Sequence, residues 1–113
     1  MSNTLRSKYS LQTIQQKIIP YLKARNVHKA IIFGSRARGT DTKMSDIDLL
    51  IVVETDQRWF KRFLEFEGLY DMFPKCHVEL FIYTPYELQK IAHRPFMKSI
   101  MNEGVTIYES GKE

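Results

Sequence analysis

The sequence predicts an α+β domain, a small mixed sheet with helices packed on one face, with residues 1–113 forming a single unit. Three observations predict it. Apolar runs of strand length (HKAIIF, DIDLLIVV and HVELFIY) alternate with stretches whose apolar residues recur at helical spacing. No internal repeat, low-complexity tract or Gly/Ser-rich linker divides the 113 residues, a length that suits one compact core. Hydrophobic residues make up 43%, with 7 Phe and 6 Tyr, which is enough to fill that core without staples.

The elements follow in order. Leu11, Ile14, Ile18 and Leu22 define an amphipathic helix over residues 10–26, in which Pro20 is expected to make a kink or a break. His28–Phe33 is a strand ending at Gly34. Residues 34–45 (GSRARGTDTKMS) are polar and read as a tight turn, a short helix from near Ser35 and a loop after Gly39. Asp46–Val53 is the clearest strand: after its first three residues every position is apolar, as a strand buried on both faces requires. Trp59, Phe63, Phe66, Tyr70 and Phe73 space a helix over residues 56–73, which Pro74 ends. His77–Tyr83 is a third strand. Thr84 and Pro85 form a helix start, with one helix running to about His93 and another from Pro95 to Asn102. Gly104 closes the latter before a short last strand, Val105–Tyr108.

Composition excludes several classes. The single cysteine, Cys76, permits no internal disulfide and reads as a small buried hydrophobe in a reducing, cytoplasmic setting. Residues 1–10 are polar, so no secretory leader is expected, and the longest apolar run, Leu49–Val53, is far short of a membrane span. A formal charge of +4 suits an anionic ligand such as a nucleotide but is too modest to argue for nucleic acid.

The chemistry concentrates in three places. Asp46 and Asp48 are two residues apart at the start of a strand, so both carboxylates project to one face. Adjacent carboxylates repel, and a divalent cation such as Mg²⁺ resolves the conflict with hard oxygen ligands. Glu79 lies in the next strand between Val78 and Leu80, where a carboxylate is out of place without a partner. If the two strands are neighbours, three carboxylates converge, enough to hold two metal ions about an in-line displacement. Gly34, directly after a strand, would let a phosphate approach the backbone, with Ser35 adding a hydroxyl and the following helix its free N–H groups. Arg36, Arg38 and Lys43 lie near enough in sequence to help neutralise a triphosphate.

Gly34-Ser35, ten residues and then Asp46-Ile47-Asp48 resembles the signature of the DNA polymerase β-like nucleotidyltransferase superfamily, and the run IIFGSRARGTDTKMSDIDLLIVV is similar to its minimal, stand-alone members. The resemblance implies a nucleotidyltransferase fold and an NTP–Mg²⁺ substrate. Asp46 and Asp48 would be metal ligands, and Gly34 and Ser35 would hold the triphosphate. Glu79 falls where the family usually carries a third aspartate that binds metal and can activate the attacking hydroxyl; the extra methylene is a departure. Minimal members are similar to the antitoxin half of toxin–antitoxin pairs, whose partner is an all-helical HEPN-type ribonuclease that the antitoxin can adenylylate on a tyrosine.

The first reading is therefore an enzyme that transfers AMP from ATP to a hydroxyl on a partner protein. The second is a catalytically weak antitoxin that neutralises its partner by contact, through exposed aromatics among Trp59, Phe60 and Phe63. A metal-dependent nuclease is a third, against which the Gly-Ser loop argues. Homo- and hetero-oligomers are both open at this stage.

Overall fold

The computed structural model describes residues 9–40, 46–74 and 76–111. In chain order the elements are α1 (Leu11–Ala24), β1 (Lys29–Phe33), α2 (Ser35–Arg38), β2 (Ile47–Val52), α3 (Trp59–Glu65), α4 (Gly68–Asp71), β3 (Val78–Tyr83), α5 (Pro85–Ile91), α6 (Pro95–Glu103) and β4 (Val105–Glu109). The four strands form one sheet in the order β3-β2-β1-β4. β1 runs antiparallel to β2 and β4, whereas β2 and β3 are parallel, so the chain must return across the sheet between them, and α3 and α4 make that crossover.

Side chains alternate across this sheet and feed two cores. Ala30, Ile32, Leu49, Ile51, Val78, Leu80 and Ile82 face Ile14, Ile18 and Leu22 of α1 and Phe66, Leu69 and Phe73 from the crossover. On the other face Ile31, Phe33 and Leu50 pack with Met97 and Ile100 of α6, with Leu88 and Ile91 of α5 beside them. The predicted α+β class and mixed sheet are observed, but helices cover both faces rather than one. The reason lies in β2 itself. Leu49, Leu50 and Ile51 are all fully buried, and adjacent residues on a strand cannot be buried unless each face is covered.

Two local expectations also give way. α1 is capped by Ser10, whose hydroxyl accepts a hydrogen bond from Thr13 N at 3.1 Å, and of the two outcomes expected at Pro20 the break does not occur, the helix continuing to Ala24. Pro20 is exposed, and the carbonyl its missing N–H would have bonded belongs to Gln16, itself an exposed residue. Residues 56–73 form two helices rather than one, beginning only at Trp59. The carbonyl of Glu65 accepts from Arg25 Nε at 3.0 Å and from the Tyr21 hydroxyl at 3.4 Å, while Leu69 N turns to Phe66 O at 3.0 Å. Side chains of α1 and of its C-cap residue, Arg25, have taken the acceptor that a continuing helix would use.

Candidate active site

β1 ends at Phe33 and the chain turns sharply at Gly34, whose φ of 79° and ψ of −154° lie in a region open essentially to glycine alone. One turn of helix follows. Ala37 N and Arg38 N both donate to Gly34 O, at 3.1 and 3.2 Å, and Gly39 closes the turn in the left-handed conformation. Gly34 is required on a second count: a Cβ there would run into Asp48 Oδ2. The glycine turn and the carboxylate are in direct contact across two strands.

The parallel register sets Asp48, the second residue of β2, directly opposite Glu79, the second residue of β3. Asp46 lies just before β2 with the same parity. Asp46, Asp48 and Glu79 each offer one carboxylate oxygen, and these three oxygens lie within 4.8 Å of one another. Asp46 and Glu79 are exposed, and Asp48 is half-buried. Burial, reinforced by the charges of Glu79 and Asp46, pushes the Asp48 carboxyl up to about 6. Three hard oxygen donors in mutual repulsion, two of them open to solvent, match what Mg²⁺ takes from a protein: a few carboxylates, with positions left for phosphate and water. The donor set fits that ion.

The remaining predicted residues divide. Ser35 is half-buried at the start of α2, beside Gly34. Arg38 is exposed and meets Glu103 at 3.5 Å, a pair in which both side chains are about half accessible, 51% and 50%, and so only weakly held. Arg36 is not brought to the solvent side with the carboxylates. It is buried, and its guanidinium donates to Asp46 O at 3.1 Å, to Tyr9 O at 2.8 Å and to Cys76 Sγ at 3.6 Å. Expected among the nucleotide-binding residues, Arg36 is here a clamp that ties α2 to the chain entering β2 and β3. Cys76 is half-buried against the first core, close to its expected role. Lys43 lies outside the described residues.

One feature beside Gly34 is not marked in the sequence. A cavity of about 200 Å³ adjoins Gly34, walled by Phe33 and Phe96, with Arg38, Ser99 and Glu103 also lining it. Its lining residues Phe96, Ser99, Ile100 and Glu103 do recur at helical spacing along α6. Only their nearness to Gly34 was missing.

The family model for polymerase beta nucleotidyltransferases matches residues 16–113. The chain belongs to this family. Over 42 residues it is 45% identical to a candidate protein adenylyltransferase of Methanocaldococcus jannaschii, a stretch that covers 37% of this chain and 45% of that relative. The match thus spans less than half of the relative's length. Among solved structures, a candidate nucleotidyltransferase from Sulfolobus solfataricus shares the fold with a TM-score of 0.62 at 22% identity, over 90% of this chain and 82% of that one. A chain from the complex of a tri-AMPylated Shewanella oneidensis HEPN toxin with its MNT antitoxin gives a TM-score of 0.60 at 17% identity, over 88% of this chain and 73% of that one. These two likenesses establish the nucleotidyltransferase fold.

Proposed function

We propose that this protein transfers AMP from ATP to a hydroxyl group on a partner protein, and that the partner is a HEPN-type toxin which the modification silences. The observation that carries the reading is the convergence of Asp46, Asp48 and Glu79 on the edge of the Gly34 turn. Two Mg²⁺ ions held by these carboxylates would supply charge neutralisation for the triphosphate and for the attacking oxygen. Gly34 admits the phosphate chain to the backbone and Ser35 adds a hydroxyl donor. Arg38, exposed and loosely paired with Glu103, is free enough to neutralise phosphate charge, and Lys43 is close enough in sequence to add to it. Arg36 contributes from behind, fixing the main chain at Asp46. The acceptor oxygen attacks the α-phosphorus, the bond to the β-phosphate bridging oxygen breaks, pyrophosphate leaves, and Glu79 takes the hydroxyl proton. Glu79 is exposed, which leaves room for an acceptor carried by another molecule.

The names of the related proteins support this assignment: one is a candidate protein adenylyltransferase, and another complex holds an AMPylated HEPN toxin with an MNT antitoxin. Among the described residues no helix is long and apolar enough to cross a membrane, which is compatible with a cytoplasmic protein. The test is label transfer from each α-³²P-NTP in Mg²⁺, with cell lysate or a HEPN partner as acceptor and Asp48→Ala as control. A labelled protein band from ATP that vanishes in the variant is expected. Label that persists in both Asp46→Ala and Asp48→Ala would refute the assignment.

A second reading, neutralisation by contact alone, has its own observation. Among the described residues Trp59, Phe60 and Leu64 of α3 stay 44%, 65% and 62% exposed, large apolar side chains on one short helix. An Asp46→Ala, Asp48→Ala double variant that still silences the partner in full would favour contact over chemistry.

A further inference from the structure

The face of the sheet that carries the carboxylates is aromatic immediately behind them. Phe33 pairs in register with Asp48, and Phe81 follows Glu79 by two residues, so all four side chains share one face. Phe96, near the start of α6, completes a cluster with ring centroids 5.9 Å from Phe33, edge-on, and 5.6 Å from Phe81, which is itself 5.5 Å from Phe33. Phe33 is buried, yet Phe96 remains 50% exposed. A large aromatic surface anchored by core residues is left open, and it faces the 200 Å³ cavity beside Gly34.

We propose that this cavity takes the base of the donor nucleotide, a purine ring stacked on Phe96. The inference rests on reading Gly34, Ser35 and the carboxylates as the triphosphate site. Position supports it, since the cavity opens onto Gly34, the residue in contact with Asp48. A nucleotide with its phosphates at the Gly34 and Arg38 side of this cavity and its nucleoside end laid over α6 would bring the base to Phe96 on the opposite side. Size supports it too. Sites for whole small molecules begin at roughly 300 Å³, so a cavity of about 200 Å³ suits a planar fragment of a ligand whose remainder lies outside. The chemistry of the lining agrees: an aromatic wall for the ring face, with Ser99 and Glu103, the latter loosely paired with Arg38, supplying polar groups for the ring's edge. Stacking grows with overlapped area, so a bicyclic purine is held better than a pyrimidine. Phe96 is thus a determinant of donor specificity that lies outside the Gly-Ser and Asp-x-Asp motif.

The experiment is calorimetric titration of ATP, CTP and inorganic tripolyphosphate into the wild-type protein and Phe96→Ala, in buffer containing Mg²⁺. The variant should bind ATP about tenfold more weakly, as loss of one base–aromatic stack requires. Tripolyphosphate affinity should be unchanged, and the preference for ATP over CTP should narrow. Equal weakening of ATP and tripolyphosphate, or no weakening of ATP, overturns the inference. Wild-type protein that binds tripolyphosphate as tightly as ATP also overturns it while leaving the triphosphate site standing; wild-type protein that binds neither removes the nucleotide site altogether. Should the alanine variant unfold, Phe96→Trp keeps an aromatic wall and reports directly. Its new indole emission should be quenched by ATP and unaffected by tripolyphosphate, against a steady background from Trp59, which packs on Tyr83 at the far end of β3. An emission indifferent to ATP overturns the inference.

Discussion

At Gly34 one missing side chain does two things: it permits a backbone conformation closed to other residues, and it lets Asp48 Oδ2 lie against the turn. Gly34→Ala therefore strains the chain and displaces a carboxylate at once. A cost of about 2 kcal/mol is expected from the backbone alone, read as a lowered urea midpoint. Transfer should fall by at least about a hundredfold, because displacement of a reacting group by about 1 Å is enough for that. Ser35→Ala is the contrast, with stability kept and only the affinity for ATP reduced. If Gly34→Ala matched wild type in both measurements, the contact between turn and carboxylate would be irrelevant. The two arginines nearby show what sequence cannot resolve at this scale. Arg36 and Arg38 look equivalent in GSRARG, yet one is buried against the carbonyls of Asp46 and Tyr9 and the other stands in solvent. α2 is a single turn, too short for any periodicity to mark which face is inward.

Among the elements, the joint between α3 and α5 depends on one buried cation. Arg62 is buried in α3, where it donates to Gln57 O at 2.8 Å and Ile82 O at 3.1 Å and meets both oxygens of Glu87 at 2.6 and 2.9 Å. Glu87 also closes the capping box of α5, accepting from Thr84 N at 3.0 Å while its own N–H bonds to the Thr84 hydroxyl. Glu87→Ala leaves Arg62 buried without a counter-charge and should cost about 3 kcal/mol; Glu87→Gln, which can still cap, should cost less. The hydrogen bonds from Arg62 hold the Glu87 carboxyl below its ordinary value of 4.5. A depressed carboxyl stabilises the fold above that value and loses the contribution as pH falls through the folded pKa. The gap in urea midpoint between wild type and Glu87→Gln should therefore be full at pH 7 and close in acid. A gap independent of pH would mean that packing rather than charge makes the joint. The strands were legible in sequence to within about a residue of each end, because short apolar runs bounded by Gly34, Pro74 and Thr84 leave little freedom. So was the pairing of Asp46 and Asp48, which follows from strand parity alone. The split between α3 and α4 was not legible. It depends on Arg25 and Tyr21 reaching Glu65 from α1, a contact between segments distant in sequence. Phe96 escaped for the same reason: its spacing marks a helix face, and only the folded chain sets that face beside Gly34.

For the molecule as a whole, the site's electrostatics become a property of its folding. Asp48 has an ordinary carboxyl value of 3.8 in the open chain and about 6 in the metal-free fold, raised by burial and then by its two acidic neighbours. Between those values the folded state binds more protons than the unfolded state, so stability declines as pH rises through that window. Below 3.8 the folded chain escapes the penalty, and above 6 it bears it in full. The fold retains this repulsion because two cores, one on each face of the sheet, hold β2 and β3 in register whatever their first residues are. A cation that binds only the folded state removes the penalty and stabilises by mass action. Three linked results are expected from thermal melts. Metal-free wild type should lose melting temperature between pH 4 and pH 6 relative to Asp48→Asn, which carries no charge there, and Asp48→Asn should melt higher than wild type at pH 7. Millimolar Mg²⁺ should raise the wild-type melting temperature at pH 7, less so at pH 5, and scarcely at all in Asp48→Asn. The pH dependence of the Mg²⁺ effect is the sharpest of these, since protons and the cation compete for the same carboxylate. A Mg²⁺ shift of equal size at pH 5 and pH 7, and equal in the asparagine variant, would show that the ion binds elsewhere and that Asp48 stands outside the metal site.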